Sequence, residues 1–135
     1  MIIDASVAFK WLVKEPDSAV AISWLDHDNL SAPALVHSEV GNALGKRIRR
    51  GEILADNAGE NLQRLEQLLT IIDERPHMAR ALEMSLSLNH AFYDCVYLAM
   101  AESLGDELLT ADDRFVQKVM ASIWRPRIRA LGAMV

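Results

Sequence analysis

Met1-Ile2-Ile3-Asp4-Ala5-Ser6 opens the chain and decides how the rest is read. Three apolar residues run straight into an acid, the pattern of a short strand buried on both faces that gives out at Asp4. Ser6 stands where a hydroxyl caps a helix, here from Val7 to about Lys14, before Glu15-Pro16 stops it. Glu107-Leu108-Leu109-Thr110 repeats the arrangement late in the chain, running into Ala111-Asp112-Asp113 and a short helix through Phe115 and Val119. Between them, helical spacing of apolar residues covers Leu35 to Arg50, closed by Gly51, and Asp56 to Leu69, with Leu62, Leu65, Leu68 and Leu69 facing inward. It returns over Met78 to Leu88 and Tyr93 to Leu104, the latter closed by Gly105. Asp17 or Ser18 caps a further helix through Trp24 and Leu25. Leu30 to Pro33 reads as a strand or loop, Thr70-Ile71-Ile72 as a strand, and Ile128 to Leu131 as the last strand. Short apolar strands separated by helices predict an α/β domain with a mainly parallel sheet. In such sheets the functional crevice lies beyond the carboxyl ends of the strands, and aspartates follow two of those ends.

A chain of 135 residues suits one domain, residues 1–135, with no repeat or linker to divide it. Hydrophobic residues at 51% are enough for a sizeable core and argue against disorder. No apolar run approaches the ~18 residues of a membrane span, and no basic segment precedes the first strand as in a signal peptide. A lone cysteine, Cys95, forms no internal disulfide, which fits a reducing, cytoplasmic setting. The net charge of −5, from 14 basic and 19 acidic residues, argues against bulk attraction to nucleic acid. Setting aside four acids as a metal site leaves only −1, so an RNA substrate is compatible with the charge.

Four acids stand out. Asp4 and Asp112 follow strands, Glu39 interrupts an apolar helical face between Val36 and Val40, and Asp94 opens the helix ahead of Val96, Leu98 and Ala99. Buried singly, each is costly, and like charges ~4 Å apart repel by ~4 kcal/mol at an effective dielectric near 20. Such a group takes up protons or binds a cation, and an all-carboxylate set favours Mg²⁺ or Mn²⁺ over zinc. Taken one at a time, cap and turn duties, or for Glu39 a solvated place at the rim of its helix, explain these positions better than a ligand role, and Asp112 and Asp113 compete for one role. His27, His37, His77 and His90 show no paired spacing such as H-x-x-x-H, and Cys95 reads as a small packed hydrophobe.

Four blocks in order change that weighing. Ile3-Asp4-Ala5-Ser6 resembles the opening of a PIN domain, the fold of VapC-type toxin ribonucleases. Pro33 with Glu39-Val40-Gly41-Asn42-Ala43-Leu44 resembles that family's second acidic block, and Tyr93-Asp94-Cys95-Val96-Tyr97-Leu98-Ala99 its third. Leu108-Leu109-Thr110-Ala111-Asp112, followed by Arg114-Phe115, resembles the fourth. The resemblance implies a three-layer α/β/α sandwich with a mainly parallel central sheet, its acids converging at one end. It implies catalytic Asp4, Glu39, Asp94 and Asp112, with Asp4 and Asp94 foremost as Mg²⁺ ligands, Mn²⁺ being a substitute. Ser6 and Thr110 match the family's hydroxyl positions, and Asn42 shares a helix face with Glu39.

The activity so implied is endonucleolytic hydrolysis of RNA by a toxin that pairs with an antitoxin and forms a homodimer. Lys46, Arg47, Arg49 and Arg50 offer phosphate contacts, with Arg125, Arg127 and Arg129 as a second basic group, although basic residues in a last helical turn also complement the dipole. Two other readings compete. A Mg²⁺-dependent phosphatase or phospho-acceptor also places acids at parallel strand ends, but Ser6 stands where a haloacid-type phosphatase carries its second aspartate. A catalytically silent PIN-like binding module would not require all four acids.

Overall fold

β1 (Ile2–Ile3) is fully buried, and its backbone pairs in parallel with strands on both sides. In the computed structural model, which describes residues 1–132, it is the central strand of a five-stranded all-parallel sheet. The others are β2 (Ser31–Pro33), β3 (Thr70–Ile72), β4 (Leu108–Thr110) and β5 (Ile128–Ala130), in the order β3-β2-β1-β4-β5. The chain therefore winds outward from β1 to β3, then crosses back to build β4 and β5 on the other side. That reversal opens a crevice between the carboxyl ends of β1 and β4. Residues 133–135, the end of the predicted 1–135 domain, lie outside the described residues.

Among the described residues, eight α-helices accompany the strands: α1 (Ala5–Leu12), α2 (Ser18–Ser23), α3 (Leu35–Arg49), α4 (Ala58–Gln63), α5 (Leu65–Leu68), α6 (Met78–Leu88), α7 (Phe92–Leu104) and α8 (Asp113–Met120). α7 packs on β1, β2 and β4 and against α6, while α1 packs on β4 and α3, giving the expected α/β/α sandwich. Cys95 to Ala101 are buried without a break, so α7 is apolar all round, as a helix inside a core must be. Gly51 and Gly105 end α3 and α7 with φ of +71° and +64°, conformations that favour glycine.

Three local expectations are corrected. Asp4, not Ser6, caps α1: its carboxylate accepts from the Val7 amide, so the helix starts and ends two residues early. The helix expected through Leu25 stops at Ser23 and tightens into a 3₁₀ turn over Trp24–Asp26. Neither cap foreseen for it acts through the helix: Asp17 makes no side-chain cap bond, and the Ser18 hydroxyl donates to Val13 O instead. The helix expected from Asp56 to Leu69 breaks at Arg64, where Gln67 N donates to Arg64 O in a tighter turn. The break turns Leu65 fully inward and leaves Leu68 36% exposed, contrary to its assigned inner face.

Candidate active site

The register fixes the site. Ile3 pairs with Leu109, so Asp4 and Thr110 emerge side by side at the switch point. Asp4 is 6% exposed; its Oδ1 accepts from Ser6 Oγ at 2.6 Å and from Val7 N at 3.2 Å. Burial pushes the Asp4 carboxyl up to about 7, with Ser6, Thr110 and Val7 opposing the shift and the Asp94 charge adding to it. Ser6 Oγ also accepts from Ala111 N at 2.9 Å and lies 3.4 Å from Thr110 Oγ1, while Thr110 Oγ1 accepts from Asp112 N at 3.1 Å. The two hydroxyls thus tie the end of β1 to the end of β4.

The other acids arrive on helices. Asp94 projects from the first turn of α7 where that helix leaves the core. Burial raises its carboxyl, the His90 contact opposes this, and the Asp112 charge adds to it. Glu39 on α3 accepts at Oε1 from the hydroxyl of Tyr97 at 2.6 Å. Its carboxyl is raised by burial and by Asp94, with Tyr97 opposing. Asp112 caps α8, its Oδ1 accepting from Arg114 N and Phe115 N at 3.1 and 3.2 Å. Asp113 is exposed in the first turn of α8 and makes no side-chain hydrogen bond among the described residues, so of the two neighbours Asp112 is the one turned to the cluster. Asn42 is exposed on α3 and likewise makes no side-chain hydrogen bond among the described residues.

Sequence spacing missed two residues. His90 Nε2 is hydrogen-bonded to Asp94 Oδ2 at 2.6 Å, the His90 ring stacks on Phe115 at 4.4 Å, and its backbone is held at both N–H and C=O by Ser85. Donor atoms of His90, Asp94 and Asp112 all lie within 4.8 Å of one another, so the donor set includes a nitrogen. The signal was His90-x-x-x-Asp94; a search for pairs of histidines passes over it. Tyr97 is 1% exposed, and a buried phenol needs a hydrogen-bond partner. In an apolar helix three residues after Asp94, that partner had to be a polar group of the site.

Each carboxylate is gripped on one oxygen. Glu39 Oε2, Asp94 Oδ1 and Asp112 Oδ2 accept no hydrogen bond among the described residues. Carboxylates gathered with His90, as Asp94 and Asp112 are within 4.8 Å, fit a divalent cation, which removes their mutual repulsion. Cys95 is buried and pushed up to about 12 by burial and Asp94, so it packs as expected and is no nucleophile.

Beside Ser6 and Glu39 opens a cleft of about 380 Å³ lined also by Lys10, Lys46, Arg47 and Arg50. Arg47 is committed elsewhere: it pairs with Glu15 and Glu52 and lies over the Phe9 ring. Arg49 is exposed and lies outside this cleft. The second basic group is engaged in the fold, Arg129 with Glu107, Arg125 with Met120 O and Arg127 with Asp106 O.

A family model for the PIN domain matches residues 1–119. The chain belongs to the PIN domain family. Among PIN-domain relatives, "Ribonuclease VapC1" of Mycobacterium tuberculosis is 36% identical over 117 residues, covering 84% of this chain and 86% of that protein. The crystal structure of PAE2754 from Pyrobaculum aerophilum superposes with a TM-score of 0.71 at 27% identity, over 87% of this chain and 77% of that one. A toxin–antitoxin complex from Klebsiella pneumoniae shares the fold with a TM-score of 0.68 at 16% identity, over 98% of both chains. Among the described residues no helix is long and apolar enough to cross a membrane.

Proposed function

We propose that this PIN-domain protein, one domain over residues 1–135, is a VapC-type toxin that hydrolyses RNA phosphodiesters endonucleolytically with Mg²⁺, Mn²⁺ being able to substitute. The grouping of Asp94, Asp112 and His90 within 4.8 Å, beside the strand ends that carry Asp4 and Thr110 and with Glu39 held by Tyr97 of the same helix, supports the reading, together with the name of the 36%-identical relative. Asp4 and Asp94 would supply the principal ligand oxygens for the ion, with Asp112, Glu39 and His90 completing the shell or orienting the attacking water. When bound there, the ion would make water more acidic and offset charge on the phosphate. Ser6, Thr110 and Tyr97 hold the carboxylates so that little reorganisation is needed as charge develops. Lys46 and Arg50 hold backbone phosphates in the adjoining cleft.

The reading also includes a cytoplasmic setting, a cognate antitoxin and a homodimer; the resemblance to VapC toxins supports these. Against a phosphatase stands Ser6, whose hydroxyl is committed to Asp4 and Ala111 where a second acid would be required. The test is cleavage of a mixed RNA pool, including a circular RNA, by partner-free protein with Mg²⁺ or EDTA, alongside Asp94→Asn. Mg²⁺-dependent opening of the circle, lost in Asp94→Asn, is expected. Folded, metal-binding protein that leaves every RNA intact would overturn the assignment.

A further inference from the structure

Glu39 and Asp112 line two different clefts. Asp94 lies with His90 and Asp112 within 4.8 Å, and three residues along α7 from it Tyr97 hydrogen-bonds Glu39. Glu39 lies in the cleft with Lys46 and Arg50. Asp112 lies in a second cleft of about 400 Å³, lined by Ser85, Asn89, His90, Asp112, Arg114 and Lys118. The two clefts share no lining residue, and each includes one of the four acids, Glu39 in the first and Asp112 in the second.

The second cleft is built and cationic. Lys118 Nζ donates to Asn89 O at 2.7 Å, which ties α8 to the α6–α7 corner and leaves further ammonium protons to donate. Arg114 is exposed, and its guanidinium makes no ion pair among the described residues although it shares the cleft with Asp112. An unpaired guanidinium beside carboxylates that a cation would neutralise suits one ligand above others, an anion bound together with that cation. A single-stranded polyanion crossing the site meets cations in both clefts.

Resting on the nuclease reading above, we propose that Arg114 and Lys118 form a second phosphate-binding subsite, so that RNA runs from the Lys46–Arg50 cleft across the carboxylates into the His90–Arg114–Lys118 cleft. The scissile phosphate lies over Asp94, and the chain is gripped by its backbone on both sides of the cut. This geometry suits endonucleolytic cleavage, because neither cleft requires a strand end.

The experiment uses the full chain. Single-stranded RNA binding is measured by fluorescence anisotropy across a salt series in the Asp94→Asn background, with and without Arg114→Gln, Lys118→Gln and Arg64→Gln, the last lining neither cleft. Each lost phosphate contact lowers the slope of log K against log salt by about 0.7. Arg114→Gln and Lys118→Gln are expected to do so, and Arg64→Gln to leave the slope alone. In the otherwise wild-type chain with Mg²⁺, Arg114→Gln raises KM about 5- to 10-fold with kcat nearly unchanged. Lys118→Arg, which keeps the charge, is expected to retain wild-type KM, whereas Lys118→Gln, which can still donate a hydrogen bond to Asn89 O but carries no charge, raises it. Wild-type chain that cleaves RNA while Arg114→Gln and Lys118→Gln bind and cleave equally well would overturn the subsite alone, assigning that cleft to a protein partner instead. Wild-type chain that cleaves no RNA would overturn the nuclease reading and the subsite with it.

Discussion

Asp4→Asn should make the metal-free protein more stable at neutral pH. Asp4 is 6% exposed, and its carboxyl is raised from 3.8 to about 7, chiefly by burial. A carboxyl whose folded pKa exceeds its unfolded one holds its proton more tightly in the native state. Its stabilising effect is complete below about pH 4 and is lost as pH rises through about 7, with a slope of about 1.4 kcal/mol per pH unit between. The cumulative loss for a shift of about three units is about 4 kcal/mol. Asparagine keeps an oxygen to accept from Ser6 and Val7 and is as good a helix cap as aspartate, so it removes the charge and spares the cap. At about 3–4 °C per kcal/mol for a chain of this size, Asp4→Asn in EDTA at pH 8 should melt about 12–16 °C higher. The assay is thermal denaturation of both proteins at pH 4.5 and 8, in EDTA and in saturating Mg²⁺. Mg²⁺ should restore wild type at pH 8 by neutralising the carboxylate, and should do little for Asp4→Asn. A wild-type melting temperature flat from pH 4.5 to 8 in EDTA, or an Asp4→Asn protein less stable than wild type at pH 8, would show that the buried charge is not the cost inferred here.

Tyr97→Phe keeps the packing of α7 but strips the hydrogen bond from Glu39, which costs about 1–3 kcal/mol in urea denaturation. It also raises the Glu39 carboxyl further, so the acidic limb of the cleavage pH profile should move to higher pH. His90→Gln removes the nitrogen from the donor set, and titration calorimetry should show a larger loss of affinity for Mn²⁺ than for Mg²⁺. Asp112→Asn and Asp112→Ala should both lose cleavage by at least about 100-fold. Only the alanine variant should also lose about 1 kcal/mol of stability, because asparagine still caps α8.

β1, β3, β4, β5, α3, α6 and α7 were legible because they rest on period and order: short apolar runs, helical apolar spacing, and an acid after β1 and β4. What escaped was set by tertiary contacts. The Asp56–Leu69 segment carries no proline at its break, and the turn at Arg64 exists because it carries Leu65 into the core. His90 lies in the corner between α6 and α7, where Asn89 at φ +50° reverses the chain, and only that reversal brings its ring to Asp94. Arg47 read as free for RNA because its partner Glu15 lies 32 residues away.

Cap and ligand were weighed as rival explanations of Asp4 and Asp112, yet in the fold they are one arrangement. In each case an aspartate follows a buried strand, directly after β1 and two residues beyond β4, and its Oδ1 caps the next helix. Capping spends one oxygen on backbone amides, fixing the carboxylate's position with no mobile side chain to order. It also points the amino ends of α1 and α8 at the crevice, as Asp94 in its first turn does for α7. Three helix amino ends supply partial positive charge that helps keep close carboxylates ionised and favours an anionic phosphate. A strand–aspartate–helix junction used twice across a switch point therefore yields both the fixed geometry and part of the field that metal-assisted hydrolysis needs. The rest comes from Tyr97, His90 and Ser6, each holding one oxygen of a neighbouring acid.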